Sequence, residues 1–226
     1  MIPKKIHYCW FGHNPLSKMA KKCIASWKKY CTDYEIIEWN EDNFDIHCCP
    51  YVEEAYKAKK WAFVSDYCRY YVLYKYGGTY LDTDVELIKG LDNISENCIG
   101  FESELYVSSG LVRRADKGDK ICELMLNSYA LDNFINSDGT QNNVTVCIRE
   151  TEIFKSFGLI TNNQMQTVEG TTVYSKEWFN PFDFKTGKVM VTPNTVSIHH
   201  YSASWMSPKD RFITKIKRKI RKIVDI

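Results

Sequence analysis

Short apolar runs alternate with longer amphipathic segments through the first half of the chain. Three of the short runs are bounded by Gly, Asn or Asp and predict strands: residues 5–12, 34–39 and 79–82. Residues 15–30 carry apolar side chains at helical spacing, and residues 51–76 predict two helices that meet near Lys60. This order of strands and helices predicts a parallel α/β sheet with right-handed crossovers.

The second half of the chain is less regular. Its strand-like runs are 98–101, 106–112, 171–174 and 195–201, and its helix-like segments are 117–136 and 143–157. Since no repeat, low-complexity stretch or linker interrupts the sequence, we expect a single domain over residues 1–207. Residues 208–226 place apolar side chains at roughly helical spacing among Lys and Arg, which predicts a separate basic helix.

Charge is distributed unevenly along the chain. The 226 residues carry a formal net charge of +2, but residues 209–226 contribute eight Lys/Arg and two Asp, so the rest of the chain is negative. The basic character therefore belongs to the tail, and we do not expect a nucleic-acid surface. No run approaches the roughly 18–20 apolar residues that cross a bilayer.

The nine cysteines follow no metal-binding or disulfide pattern. Their number is odd, no Cys-x-x-Cys occurs, and the N-terminus leads directly into a strand-like run without a leader sequence. We expect reduced thiols in a cytoplasmic protein and no zinc site.

Two carboxylates follow a Gly-Gly turn and a short apolar run. Asp82 and Asp84 stand at the end of the predicted third strand, where ligands of α/β sheets bind, and Trp10 stands at the end of the first. Hard divalent cations such as Mg²⁺ or Mn²⁺ take one or two protein carboxylates and complete their coordination with substrate phosphates. An Asp-x-Asp pair alone is also common in surface turns.

Two further constellations could contribute to such a site. Asp66 and Arg69 share one face of an apolar helix, where a buried ion pair could bind sugar hydroxyls and phosphate, although an exposed ion pair is the simpler explanation. His199 and His200 point to opposite sides of a predicted strand, so at most one can complete a metal site. An ordinary structural role for both histidines also stays open.

Taken in chain order, four motifs resemble glycosyltransferase family 32. They are Ile6-His7-Tyr8-x-Trp10-Phe11-Gly12, Ser65-Asp66-x-x-Arg69, Tyr76-Gly77-Gly78-x-Tyr80-Leu81-Asp82-x-Asp84, and His199-His200 followed by Trp205. That family includes sugar transferases of capsule and lipopolysaccharide synthesis and yeast mannosyltransferases, and it is related to clostridial glucosylating toxins. The resemblance implies an α/β fold of GT-A type with a Rossmann-like mixed sheet flanked by helices, a nucleotide-sugar donor, Mn²⁺ (or Mg²⁺), and retention of anomeric configuration.

The resemblance also implies a role for each matching residue. Trp10 would stack on the nucleotide base, Arg69 would lie near the diphosphate, and Asp84 would bind the metal directly. The implied donor-binding residues are Ile6, Tyr8, Trp10, Ser65, Asp66, Arg69, Tyr80, Asp82, Ser204 and Trp205. The implied metal ligands are Asp82, Asp84 and one of His199 and His200, and the implied catalytic residues are Asp66, Arg69, Asp82 and Asp84. Residues 107–110 and 141–143 match the family poorly, which leaves the acceptor open.

The expected activity is retaining transfer of a hexose, with glucose or galactose favoured, from a UDP-linked donor to a saccharide or lipid-linked acceptor. Such a transfer would serve the synthesis of a cell-surface polysaccharide. The basic tail, residues 208–226, predicts peripheral binding to the inner membrane face, although it could instead be a solvated terminus or a subunit contact. A nucleotide-sugar hydrolase on the same fold and a noncatalytic sugar- or lipid-binding protein are the alternatives.

Overall fold

The strands form one mixed sheet and one separate two-stranded ladder. The computed structural model describes residues 2–183 and 186–202. The helices in this part are α1 (Lys18–Tyr30), α2 (Pro50–Lys57), α3 (Trp61–Tyr76), α4 (Lys120–Ala130), α5 (Val146–Ser156) and α6 (Lys176–Phe179). The strands are β1 (Lys5–Cys9), β2 (Glu35–Trp39), β3 (Gly78–Tyr80), β4 (Val85–Leu87), β5 (Cys98–Phe101), β6 (Val107–Ser108), β7 (Arg113–Ala115), β8 (Gln166–Val168), β9 (Thr171–Tyr174) and β10 (Ser197–His199).

The main sheet has the order β2-β1-β3-β7-β5-β9-β8, and β6 pairs with β5 at one side. Strand β1 is parallel to β2 and β3, and β5 is parallel to β9, whereas β7 runs antiparallel to both β3 and β5. Strands β1, β2, β3, β5 and β9 therefore all point the same way, and their carboxyl ends meet at one edge. The small ladder joins β4 and β10 in antiparallel register.

Helix α1 forms where its sequence supplies both a cap and an apolar stripe. Ser17 is the N-cap residue, and its hydroxyl accepts a hydrogen bond from the Ala20 amide at 3.0 Å. The buried face of the helix includes Trp27, which is fully buried and donates from its indole nitrogen to the Val85 carbonyl at 2.7 Å. This bond ties α1 to β4, and so to the turn that carries the paired aspartates.

Helix α3 is buried on several sides. Its buried residues include Val64, Cys68, Tyr70 and Leu73, and it packs against α2, α4 and the sheet. Because neighbours surround it, α3 shows no simple amphipathic stripe. Asp66 and Arg69 lie in this helix as buried charges that face the end of β3.

The α/β class with a mixed sheet flanked by helices is confirmed, and the bounds of several elements differ from the sequence prediction. Strands over 98–101 and 171–174 occur as predicted, as do two helices that meet near Lys60. The strand predicted over 106–112 is reduced to β6, because the chain turns at Ser109 and Gly110. The short strands β4, β7 and β8 and the short helix α6 were not predicted.

The predicted basic helix, residues 208–226, lies outside the described residues. The extent of the single domain stays a prediction. Of the helices in residues 2–183 and 186–202, none has the length and apolar character that a membrane crossing requires.

Candidate active site

The Gly-Gly turn connects α3 to β3, and the two aspartates follow β3 at the carboxyl edge of the sheet. Gly77 and Gly78 have φ values of +64° and +116°, which lie in the left-handed region that favours glycine. A Cβ at Gly77 would lie 2.8 Å from the Lys117 amide nitrogen, and one at Gly78 would lie 3.0 Å from the Lys5 carbonyl oxygen. The turn therefore requires glycine twice, and it places Asp82 just beyond the carboxyl end of β3.

Arg69 is the centre of the charged cluster. Its Nη2 lies 2.7 Å from Asp66 Oδ1 and 3.3 Å from Asp82 Oδ1, and its guanidinium lies over the Tyr80 ring at 4.9 Å. Tyr80 in turn donates from its hydroxyl to Asp82 Oδ1 at 3.0 Å. The helix residues and the turn residues predicted from separate motifs thus form one connected cluster.

Gly110 allows the cluster to close. The Asp82 amide donates to the Gly110 carbonyl at 3.2 Å, so the two backbones lie side by side. A Cβ at position 110 would overlap Asp82 Oδ2 and would lie 3.2 Å from Arg69 Nη1. The adjacent Ser109 hydroxyl lies 3.4 Å from the same Nη1. The segment at 109–110 therefore shapes the wall opposite α3.

Asp84 and His199 face each other across the small ladder. Asp84 Oδ1 lies 3.2 Å from His199 Nε2, and Asp84 Oδ2 accepts from the Ser202 amide at 2.8 Å. His200 points the other way, with its Nε2 2.7 Å from Glu86 Oε2. This alternation is the side-chain period of a strand, and β10 pairs His199 with Val85 in the register that produces it.

Burial and neighbouring charges shift the pKa values of these groups in different directions. Burial raises the pKa of Asp66 to about 6, although Arg69 opposes the shift. Burial also raises the pKa of Asp82, with Arg69 opposing and Asp84 adding to it. Burial likewise disfavours ionisation of Asp84, but His199 and Ser202 outweigh it and hold the Asp84 pKa well below its usual range. Asp84 is therefore the firmly ionised carboxylate of the three.

The donor set suits a divalent cation that also binds a ligand. Within residues 2–183 and 186–202, no three His, Cys, Asp or Glu side chains converge to hold a metal by themselves. Asp84 and His199 supply one oxygen and one nitrogen close together, which suits Mn²⁺ or Mg²⁺ only if other oxygens come from a bound phosphate. The cluster also contains three carboxylates, those of Asp66, Asp82 and Asp84, beside the guanidinium of Arg69. A divalent cation would balance the excess of negative charge.

The side chains of the other predicted site residues have hydrogen-bond partners outside the charged cluster or are buried in the core. Trp10 follows β1, is half-buried, and donates to the Asn14 carbonyl at 2.6 Å. Tyr8 donates to Glu38 at 2.6 Å, and the Ser65 hydroxyl donates to the carbonyl of Trp61 at 3.0 Å. Ile6 is a correction: its side chain is fully buried in the core, so a donor cannot reach it. Ser204 and Trp205 lie outside the described residues.

Sequence reasoning missed the support behind the wall at Ser109. Glu150 of α5 is fully buried, accepts from the Ser109 amide at 2.8 Å, and accepts from the Tyr70 hydroxyl. The Tyr201 ring packs against His199 at a tilt of 39°, with ring centroids 4.1 Å apart. An isolated acidic residue inside a helical pattern gives no signal that separates a buried Glu from a solvated one.

Glu150 makes stability depend on pH. Burial raises its pKa to about 7, although hydrogen bonds from Tyr70 and Ser109 oppose the shift. Because the folded pKa exceeds the unfolded one, the folded state binds the proton more tightly, and stability falls as pH rises from about 4.5 through about 7. We expect a loss of about 3 kcal/mol from this group, measured by urea unfolding at pH 5, 6, 7 and 8.

Two variants isolate the effect of Glu150. Glu150→Gln should flatten the fall in stability between pH 5 and 8, whereas Glu152→Gln, on the same helix but 65% exposed, should leave it unchanged. Asp66 contributes a smaller fall of the same sign at lower pH, because its pKa is also raised. Equal slopes for wild type and Glu150→Gln would contradict the assignment.

The α/β fold places the aspartate–arginine cluster at the carboxyl edge of its main sheet, and the cluster includes the Asp-x-Asp pair of Asp82 and Asp84. Residues 17–99 match the family described as "Glycosyltransferase sugar-binding region containing DXD motif", and this segment contains Asp66, Arg69, Asp82 and Asp84. The sequence-based resemblance to glycosyltransferase family 32 is thereby confirmed over that segment, and it disfavours a noncatalytic binding protein.

Two individual proteins show the extent of the similarity. Inositol phosphoceramide mannosyltransferase 3 of Schizosaccharomyces pombe (strain 972 / ATCC 24843) is 32% identical over 99 residues, which cover 40% of this chain. The match spans about a quarter of that relative's length, at 26%. The solved structure described as "PaToxG Glycosyltransferase" superposes with a TM-score of 0.47 at 21% identity, covering 56% of this chain and 59% of that one.

Proposed function

We propose that the chain transfers a sugar from a nucleotide diphosphate sugar to an acceptor hydroxyl, with retention of anomeric configuration. The observation that carries the proposal is the connected cluster in which Arg69 lies between Asp66 and Asp82 while Asp84 faces His199. One half of this arrangement suits a diphosphate and sugar hydroxyls, and the other half suits a divalent cation.

In this proposal Asp84 and His199 would hold Mn²⁺ or Mg²⁺, and Asp82 would lie between the metal and the donor. When bound, the cation would supply positive charge to the diphosphate as it leaves. Arg69 supplies charge to the same group from the other side: it is only 4% exposed, and its planar fork suits phosphate oxygens. Asp66 would accept hydrogen bonds from the donor sugar while it orients Arg69.

The retaining route that fits these residues is a front-face one. The leaving phosphate would accept the proton of the attacking hydroxyl as the new glycosidic bond forms on the same face of the sugar. No residue of the cluster then has to serve as a nucleophile. Arg69 stabilises the charge that develops on the departing oxygen, which is the role of preorganised electrostatics in such sites.

The two histidines offer a sharp test of the metal assignment. His199→Ala should weaken Mn²⁺ binding at least about tenfold, since a neutral imidazole is lost from the ligand set. His200→Ala should change it less than about twofold, because its ring contacts Glu86 instead. Calorimetric titration of Mn²⁺ in the presence of UDP measures both effects. Equal losses in the two variants would contradict the assignment of His199.

The finer identity of the substrates rests on the family resemblance. We propose that the donor carries a hexose on UDP, with glucose or galactose as the first sugars to test. Because the relative named above is a mannosyltransferase, mannose is a further sugar to test. The proposed acceptor is a saccharide or a lipid-linked saccharide in cell-surface polysaccharide synthesis. The proposed location is the cytoplasmic membrane face, reached through the basic residues 208–226.

A donor panel tests the proposed function. UDP-glucose, UDP-galactose, GDP-mannose and UDP-N-acetylglucosamine are incubated with the full chain and Mn²⁺, and release of the nucleotide diphosphate is measured without acceptor and with a mixed oligosaccharide acceptor. The proposal expects one donor to be used and release to rise when acceptor is added. Release that acceptor does not stimulate would instead indicate a hydrolase, and no metal-dependent use of any donor would contradict the proposal.

A further inference from the structure

A polar groove lies at the carboxyl edge of the main sheet, away from the aspartate cluster. It has a volume of about 500 Å³ and is lined by Trp178 of α6 and by residues of the segment that precedes β8. Trp178 and Asn194 also line a second cavity of about 580 Å³ that includes Tyr30 and Pro193. Trp178 therefore lines two cavities while it also packs against the core.

The groove presents an aromatic ring among side-chain amides and a hydroxyl, with one carboxylate, that of Glu177. Ser175 is the N-cap residue of α6, but its hydroxyl does not cap the helix. Asn163 takes that role instead, because its Oδ1 accepts from the Lys176 amide at 2.7 Å. Asn194 donates to Glu177 at 3.0 Å, and both residues line the groove. The full lining is Asn163, Gln164, Met165, Ser175, Glu177, Trp178 and Asn194.

This lining selects a class of ligand. It contains no Lys or Arg, so it does not suit a phosphate, a nucleotide or an anionic lipid headgroup. A pyranose ring has one face of C–H groups, which packs on an indole, and a rim of hydroxyls, which both donate and accept. Side-chain amides and hydroxyls match that rim, because each can donate and accept in turn.

The Trp178 ring is held in place by its neighbours before any ligand binds. The Trp178 ring lies 4.7 Å from the Tyr174 ring, and its backbone carbonyl accepts from the Val196 amide at 2.7 Å. The helix that carries Trp178 is also held at its base, because Phe179 packs closely over Gly100. A preformed ring loses little conformational freedom on binding, which favours affinity.

The groove follows a strand of the same sheet as the aspartate cluster. Ser175 follows β9, which is parallel to β5 and points the same way as β3, so both sites open at one edge of the sheet. Three strand spacings separate β3 from β9, a distance of about 14 Å. Two residues after Trp178, Asn180 donates to the Glu102 carbonyl and the Tyr201 hydroxyl, and the Tyr201 ring contacts His199.

We propose that the groove at Trp178 is a saccharide-binding subsite that takes a neutral oligosaccharide, with one pyranose ring stacked on the indole. Gln164, Ser175 and Asn194 bind its hydroxyls. Its identification as the acceptor chain, whose reactive end would extend along the edge of the sheet towards the donor, rests on the proposed function. The binding of a saccharide in the groove does not.

Binding of linear tetrasaccharides tests the subsite. Tetramers of glucose, galactose and mannose are titrated calorimetrically into the full chain without donor and without metal, so the result does not depend on the aspartate cluster. We expect at least one tetramer to bind with a dissociation constant in the millimolar range or below. Trp178→Ala should weaken that binding at least about tenfold, and Trp178→Phe, which keeps an aromatic face, should weaken it less.

A matched control and two outcomes decide the proposal. Leu131→Ala removes an apolar side chain that is 90% exposed elsewhere on the surface and should leave binding unchanged. Near-ultraviolet circular dichroism of each variant reports that the fold is intact. If no tetramer binds, or if the folded Trp178→Ala binds as well as wild type, the subsite is refuted. Failure of the donor panel with saccharide binding intact would refute the proposed transfer alone.

Discussion

Asp84→Ala is expected to abolish metal-dependent release of nucleotide diphosphate from the donor, with a loss of at least about a thousandfold. Asp84 is the carboxylate that His199 and the Ser202 amide hold in its ionised form, so its removal takes away the strongest oxygen ligand of the candidate metal site. The measurement is donor turnover with saturating Mn²⁺, together with calorimetric binding of UDP with and without the metal.

The control for Asp84 is a carboxylate outside the site. Asp92 is 71% exposed and lies 3.9 Å from the Lys4 ammonium, so Asp92→Ala should keep full turnover. Thermal unfolding should show that both variants are folded. Full turnover by Asp84→Ala, or by the wild type in excess EDTA, would contradict a metal-dependent mechanism at this site.

Arg69→Lys is expected to lower kcat/KM for the donor at least about a hundredfold while the protein stays folded. The lysine keeps the charge but loses the planar fork that contacts Asp66 and Asp82 together. Removal of the charge altogether is a poorer test. Arg69→Ala leaves two carboxylates without their cation in a buried site, at a cost of about 3–5 kcal/mol in stability.

Arg113 provides the matched control for Arg69. It is a fully buried arginine that lies beside Tyr80 in the sheet, and its guanidinium pairs with Asp119 at 2.9 Å rather than with an aspartate of the cluster. Arg113→Lys should therefore lose stability to a similar extent in urea unfolding but keep the wild-type kcat/KM once folded. A proportional loss of activity in both variants would mean that Arg69 acts through stability alone.

The sequence predicted the half of the site that depends on local features. The turn at Gly77–Gly78 needs φ values that glycine adopts, and the carboxylates follow it directly, so their place at a strand end could be predicted from spacing alone. The pairing of Asp66 with Arg69 likewise follows from helical spacing. These features involve neighbours within a few residues, which is the range over which spacing is informative.

The missed features depend on contacts between distant segments. The choice between His199 and His200 follows from the register of β10 on β4, more than 100 residues away in sequence. Strand β7 was not predicted because it contains two arginines, and both are buried: Arg113 pairs with Asp119, and Arg114 donates to the carbonyls of Leu91 and Ile94. The predicted strand over 106–112 was too long because Gly110 breaks it to meet Asp82.

That contact has a consequence for chains of similar sequence. The backbone at Gly110 leaves no room for one additional carbon atom beside Asp82 and Arg69. A relative that kept all four charged residues but carried alanine at this position would retain every motif a sequence search recognises, yet its aspartate and arginine would be forced apart. Position 110 thus distinguishes related chains whose aspartate can keep this close contact from those whose aspartate must move away.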